Sequence, residues 1–266
     1  MVSIRSMFKL TLTACLLLDS TVILARASGI LACTAWEITN VPTAGMTDIT
    51  FSMTIAEADH ISGYYFAQEF TFHNLSSENF GHLGYIGLQP RPDEEGRPRL
   101  HAAFSSFVPG TISSTNANCI PSADGGPGSS CWWDFDAVYG RTYELEVQKN
   151  LGIWIGTVVD TVTGERIQIG SWILPQEAEG IMGGNLGFVE WYPWNGVEPE
   201  NHCAKLPYQR TIFGAPKTSS PGAVGTQGLG YFNPANDCEG QIAFSTQMDI
   251  SGGVEMVSGF QGQTGY

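Results

Sequence analysis

Five side chains able to do chemistry fall close together in His82–Phe107, HLGYIGLQPRPDEEGRPRLHAAFSSF: Tyr85, Gln89, Arg91, Arg99 and His101. Arg and Gln can neutralise a uronate carboxylate. His or Tyr can then take the proton from C5, and a Tyr can return one to the leaving oxygen. A polysaccharide lyase of the jelly-roll type needs this set, although the spacing here does not match lyase motifs. The competing expectation is a half-wet sheet face whose polar groups satisfy one another.

A second group is Glu190-Trp191-Tyr192-Pro193-Trp194-Asn195. Val189 and Trp191 belong to one strand face, Glu190 and Tyr192 to the other. Pro193 releases Trp194 from the strand, which predicts an exposed indole beside a carboxylate and an amide. Sugar recognition uses that combination: a flat ring for the pyranose face and hydrogen-bonding groups for its hydroxyls. Glu190, Tyr192, Trp194 and Asn195 are therefore the candidate carbohydrate-binding residues.

Glycosidases use two carboxyls, about 5 Å apart when retaining and about 6.5–9.5 Å apart when inverting. Glu144 with Glu146, and Asp134 with Asp136, share strand faces. Each pair alternates with expected core residues (Leu145 and Val147; Trp133 and Phe135) and reads as a solvated face. Glu69 and Glu190, embedded among aromatics, are better candidates. No cofactor is expected. Calcium at Asp124-Gly125-Gly126, or at Asp134 and Asp136, is weighed against a plain turn. No Walker loop, H-E-x-x-H, G-x-S-x-G or dinucleotide fingerprint is present.

The elements that must position these residues are strands. Leu83–Gln89 and Leu100–Phe107 flank Pro-Asp-Glu-Glu-Gly and read as a hairpin with a longish loop. With the turn near Glu95, Ile86, Leu88, Leu100, Ala102 and Phe104 form a core face. Tyr85, Gln89 and Arg91 then face Ser105, His101 and Arg99 on the other. In Gly63–His73, Tyr64, Phe66, Phe70 and Phe72 share one face, with Tyr65, Glu69 and His73 opposite. Strands are also expected over 35–39, 47–54, 131–135, 142–148, 152–160, 165–174, 187–191, 208–213, 241–247 and 254–260. Sustained helical periodicity is absent. Glycine makes up 32 of 266 residues, against a usual ~7%. The pattern is all-β: one antiparallel β-sandwich or jelly roll over 28–266, with the tail from about residue 215 packing on it.

Residues 1–27 read as a signal peptide, with Arg5 and Lys9, the apolar run Leu10–Leu18 and an Ala25-Arg26-Ala27 cleavage site. The run is too short to span a membrane, and no later stretch approaches that length. A secreted, extracellular protein is expected, as a monomer. The mature chain carries 9 basic and 25 acidic side chains, which argues against nucleic acid or an anionic membrane as partner. Asn74-Leu75-Ser76 is a glycosylation sequon. Oxidised cysteines are expected to pair as Cys119–Cys131 and Cys203–Cys238, leaving Cys33 unpaired or swapping into one bridge.

At Gly84-Tyr85-Ile86-Gly87-Leu88-Gln89 the chain resembles a family of secreted bacterial and fungal proteins classed as a domain of unknown function. Phe104-Ser105, Gly125-Gly126, Arg141-Thr142-Tyr143 and Gly187-Phe188-Val189-Glu190 fit the same pattern, over roughly residues 60–215. The resemblance implies a concanavalin-like sandwich and carbohydrate-binding relatives, and it brings no catalytic residues. The expected function is glycan recognition, with an oligo- or polysaccharide as partner. The alternatives are a polysaccharide-degrading lyase or glycoside hydrolase on the same fold, or a secreted effector or interaction protein.

Overall fold

The computed structural model describes residues 29–78, 81–114, 118–195 and 202–263; the predicted signal segment lies outside them. The first half of the chain forms β1 (Ile30–Thr39), β2 (Asp48–Ala58), β3 (Tyr64–Thr71), β4 (Leu83–Glu94), β5 (Arg97–Ser106), β6 (Ile112–Ser113), β7 (Cys119–Ile120) and β8 (Ser129–Asp136). The second half adds β9 (Thr142–Asn150), β10 (Ile153–Asp160), β11 (Arg166–Ile173), β12 (Gly184–Trp191) and β13 (Gln209–Phe213). The tail gives β14 (Val224–Gln227), β15 (Tyr231–Phe232), β16 (Phe244–Met248) and β17 (Val254–Ser258).

Two antiparallel sheets result. One runs β14-β1-β12-β3-β4-β5-β8-β7, with β15 also on β1; the other runs β16-β17-β13-β2-β9-β10-β11-β6. The chain is an all-β sandwich, as its alternating strands predict. The tail supplies strands to both sheets instead of lying on a finished core. Its β14 and β15 escape prediction because each is very short and bounded by glycine. Likewise β1 begins at Ile30 instead of Ala35, because the outward side of its first residues is covered as well as the inward side.

Side chains facing the partner sheet build the core. Phe66 and Phe70 of β3 and Phe51 and Met53 of β2 belong to one core cluster with Trp36, Trp154, Trp172 and Trp191, all at most 2% exposed. Each such side chain contributes roughly 1.5–3 kcal/mol by leaving water.

The central hairpin has the expected register: Tyr85 opposite Ser105, Gln89 opposite His101 and Arg91 opposite Arg99. Ile86, Leu88, Leu100, Ala102 and Phe104 are buried. The expected longish loop is a two-residue turn. Glu95 (φ 52°) and Gly96 (φ 75°) both adopt left-handed backbone, as a type I′ reversal requires, and a register shift between Arg91 and Glu94 takes up the remaining residues.

Trp133 corrects an expectation. It lies opposite the buried Ala102, yet it is 41% exposed. The reason is that β7 covers β8 only at Cys131 and Ser130.

Cys119–Cys131 and Cys203–Cys238 are both bridged. Cys33 enters neither bridge and is not a free thiol, which corrects the expectation of an unpaired or swapping cysteine. The second bridge ties the segment before β13 to the turn after β15. Replacing Cys203 and Cys238 together by alanine should lower unfolding stability by about 4 kcal/mol in denaturant titrations, given the loop it closes. An unchanged midpoint would mean that strand pairing alone holds the tail.

Candidate functional site

The outward face of the nine-stranded sheet carries rows of side chains running across the strands. Phe188, Ala67, Gly87, Ala103 and Trp132 are successive cross-strand neighbours on β12, β3, β4, β5 and β8. Three of these five are Ala or Gly, so the row is low. Gly87 is required there: a Cβ on it would lie 2.2 Å from the Phe66 carbonyl oxygen. On one side of this row stand Glu69, Tyr85, Ser105 and Ser130. On the other, Glu190 stands opposite Tyr65, and Gln89, His101 and Asp134 continue the line.

The result is a narrow trough, its floor buried, with a carboxylic acid on each wall. Two residues along a strand separate each wall from the floor, so the walls are about 13 Å apart at the backbone. Both glutamates are half-buried, and around them pack Tyr65, Tyr85, Phe188, Tyr192 and Tyr231. Tyr65 sits edge-on to Tyr85 and Phe188, with centroids 5.4 and 5.5 Å away.

Burial, and then the charge of Glu190, push the Glu69 carboxyl up to about 7. Glu190 is also pushed up to about 7: burial raises it most, the Asn195 amide opposes this, and the charge of Asp124 adds to it. No cation figures among the causes acting on either group. The Asn195 amide donates from Nδ2 to Glu190 at 2.8 Å, while its Oδ1 accepts from the Gly29 backbone N–H at 2.9 Å. Asn195 thus orients Glu190 and steadies its ionised form. Glu69 has no corresponding donor among the causes acting on it.

Of the four residues expected to bind sugar, Glu190, Tyr192 and Asn195 do gather on this face. Trp194 does not. Pro193 ends the strand as expected, but Tyr192–Trp194 form a 3-10 turn. Residues three apart in such a turn eclipse, so Trp194 follows Trp191 inward. It is 2% exposed, with His202 edge-on at 4.7 Å. The exposed-indole expectation is corrected: Trp194 belongs to the core.

The five hairpin residues share the outward face with the glutamates, and most are engaged. Arg91 Nη2 donates to Gln89 Oε1 at 2.7 Å. Arg99 is paired with Asp136 and, at 3.3 Å, with Glu94. His101 Nδ1 lies 2.8 Å from Asp134; burial and then the Arg91 charge lower its pKa, against the pull of Asp134. The Tyr85 hydroxyl is 3.4 Å from Asp124. The solvated carboxylates also have partners: Glu144 with Lys217 at 3.0 Å, and Glu146 with Arg166.

Asp124 and Gly125 take positive φ as a turn, and the contacts of Asp134 and Asp136 are to His101, Arg97 and Arg99. Among the described residues, one cluster has metal-type donors: His202, Cys203, Asp237 and Cys238. Its sulfurs are spent in the Cys203–Cys238 bridge. Asn74 is exposed, with its amide donating to the Glu177 carbonyl at 3.1 Å.

The raised carboxyls have a consequence for stability. Between an ordinary Glu pKa and about 7, the folded chain keeps protons that the unfolded chain has lost, so stability falls as pH rises through that window. Thermal midpoints should therefore drop from pH 5 to pH 7.5. A Glu69→Gln/Glu190→Gln double variant should lose most of that slope. An equal slope in the variant would show that other groups carry it.

No family model and no curated protein matches the chain. Among solved structures, the chain is similar to SCP-B, a member of the Eqolisin family of peptidases in complex with the tripeptide Ala-Ile-His. That match has 9% identity and a TM-score of 0.44, over 88% of this chain and 99% of the other. It is also similar to the enzymatically active domain of bacteriophage CBA120 tailspike protein 2, at 12% identity and TM-score 0.30, over 76% of this chain and 31% of the other. Both neighbours are β-rich.

Proposed function

We propose that the chain is a hydrolase in which Glu69 and Glu190 form an acid–base pair acting on an uncharged acyl bond, a peptide bond in the first place. One observation carries this reading: two carboxyls on one sheet face, both raised to about 7 without any cation acting on them. Such groups can hold and pass protons near neutrality. Glu190, steadied as the anion by Asn195, takes a proton from water as the water oxygen attacks the carbonyl. Glu69, protonated, gives its proton to the departing amine. Recognition alone would leave this costly pairing without a use.

The peptide reading rests on the acid–base pair itself, because Phe188, Ala67, Gly87 and Ala103 between the walls are buried and offer a substrate no surface. The surrounding tyrosine rings support a second reading, hydrolysis of a neutral glycan by the same pair. A uronate lyase has less support, because Arg91 and Arg99 already have partners and the charge of Asp124 also acts on Glu190. The two disulfides fit an extracellular setting.

The test offers a denatured protein and a panel of neutral polysaccharides from pH 3 to 9. Peptide release should follow a bell centred near neutrality, because only the singly protonated pair is active. Glu69→Gln and Glu190→Gln should each lower kcat/KM by at least about 100-fold while the fold is kept. Reducing-sugar release with the same double dependence would establish the glycan reading instead. Absence of both activities, or activity indifferent to both variants, would overturn the acid–base pair.

A further inference from the structure

Away from the trough, the flank of the sandwich opens where β8 and β11 face each other. There β7 pairs with β8 only at Cys131 and Ser130, and β6 pairs with β11 only at Trp172 and Ile173. Among the described residues, Trp133–Asp136 and Arg166–Gln168 therefore run as uncovered strand edges. Between them lies a cleft of about 530 Å³, within the about 300–1,000 Å³ usual for small-ligand sites. Trp133 lines it, pointing to the core side of β8 and still 41% exposed.

The chemistry of the walls narrows the ligand. Asp134, Asp136 and Glu165 line the cleft together with Arg99 and Arg166. Three acids oppose a polyanion, and two guanidinium groups oppose a cation. Much of this charge is already neutralised: Asp136 holds Arg97 and Arg99, Asp134 holds His101, and Arg166 holds Glu146. A quaternary ammonium prefers several aromatic faces, but Phe135 is only 6% exposed, which leaves one indole. What remains is a flat apolar ring flanked by planar groups with hydrogen-bonding capacity, the Gln168 amide among them. That combination suits a neutral pyranose.

We propose that this flank cleft binds a neutral saccharide, with Trp133 as the stacking platform. The site lies apart from the carboxyl pair, although Asp134, at the far end of the Glu190 row, also lines it. Trp133 points inward on β8, whereas Glu69 and Glu190 point outward on β3 and β12, with β4 and β5 between. It binds without taking part in hydrolysis and does not depend on the bond that the trough cleaves.

The experiment titrates the intact chain with cellohexaose, laminarihexaose and xylohexaose, following tryptophan fluorescence and calorimetric heat, with polygalacturonate as the charged control. At least one neutral probe should bind saturably and polygalacturonate should not. Trp133→Ala should weaken that binding at least about tenfold, the change 1.4 kcal/mol represents, and leave hydrolysis of any trough substrate unchanged. Gln168→Ala, on an exposed edge, should weaken it several-fold with an unaltered melting temperature, and it decides the matter if Trp133→Ala fails to fold. Saturable binding to none of the three probes would overturn the proposal. So would full-strength binding in both variants.

Discussion

The two faces of β3 are the constraint on which the rest depends. Side chains of a strand alternate, and a slip of one residue exchanges its faces. On β3 the inward set, Tyr64, Phe66 and Phe70, is at most 2% exposed, so a slip would turn three large aromatics outward and bring Glu69 into the core. Burial of the aromatics therefore fixes the outward position of Tyr65 and Glu69. The same holds on β12, where Val189 and Trp191 are fully buried and Glu190 lies between them. Site geometry here is a by-product of core packing.

Placing two carboxyls among tyrosines works against stability, because burial disfavours the charged form and each charge disfavours the other. The sheet absorbs this because its other face is so apolar. Gly87 is part of the arrangement. Without a Cβ it lets β4 lie close against the Phe66 carbonyl, in the row between the two glutamates. Asn195 then breaks the symmetry of the pair by donating to one of them only.

Local physics made the hairpin legible in the sequence. Period-two alternation and a Glu95-Gly96 reversal are written within a few residues of each other, and the observed register follows. The pairing of Glu69 with Glu190 was only half legible. Each stood out as an acid among aromatics, but nothing local says that β3 and β12, far apart in sequence, are neighbours in the sheet. Trp194 was misread because Pro193 signals that a strand ends and not where the next side chain points. Trp133 was misread for the complementary reason: alternation gave its direction correctly, but burial also needs a neighbouring strand, and β7 stops short.

That last distinction separates the two surfaces described. On the outward face of β3 and β12, polar groups are enclosed by packed neighbours on both sides, so their protonation is perturbed and can serve acid–base chemistry. At the flank, the strands lack outer neighbours, so an inward-pointing indole stays wet and the carboxylates are met by arginines or histidine near the surface. Perturbed acidity needs enclosure, whereas an open stacking platform needs its lack. A sandwich whose edge strands are only partly covered supplies both within one chain. The glutamates stand on β3 and β12 and the indole on β8, with β4 and β5 between them, so a change at one of these side chains leaves the packing of the other intact.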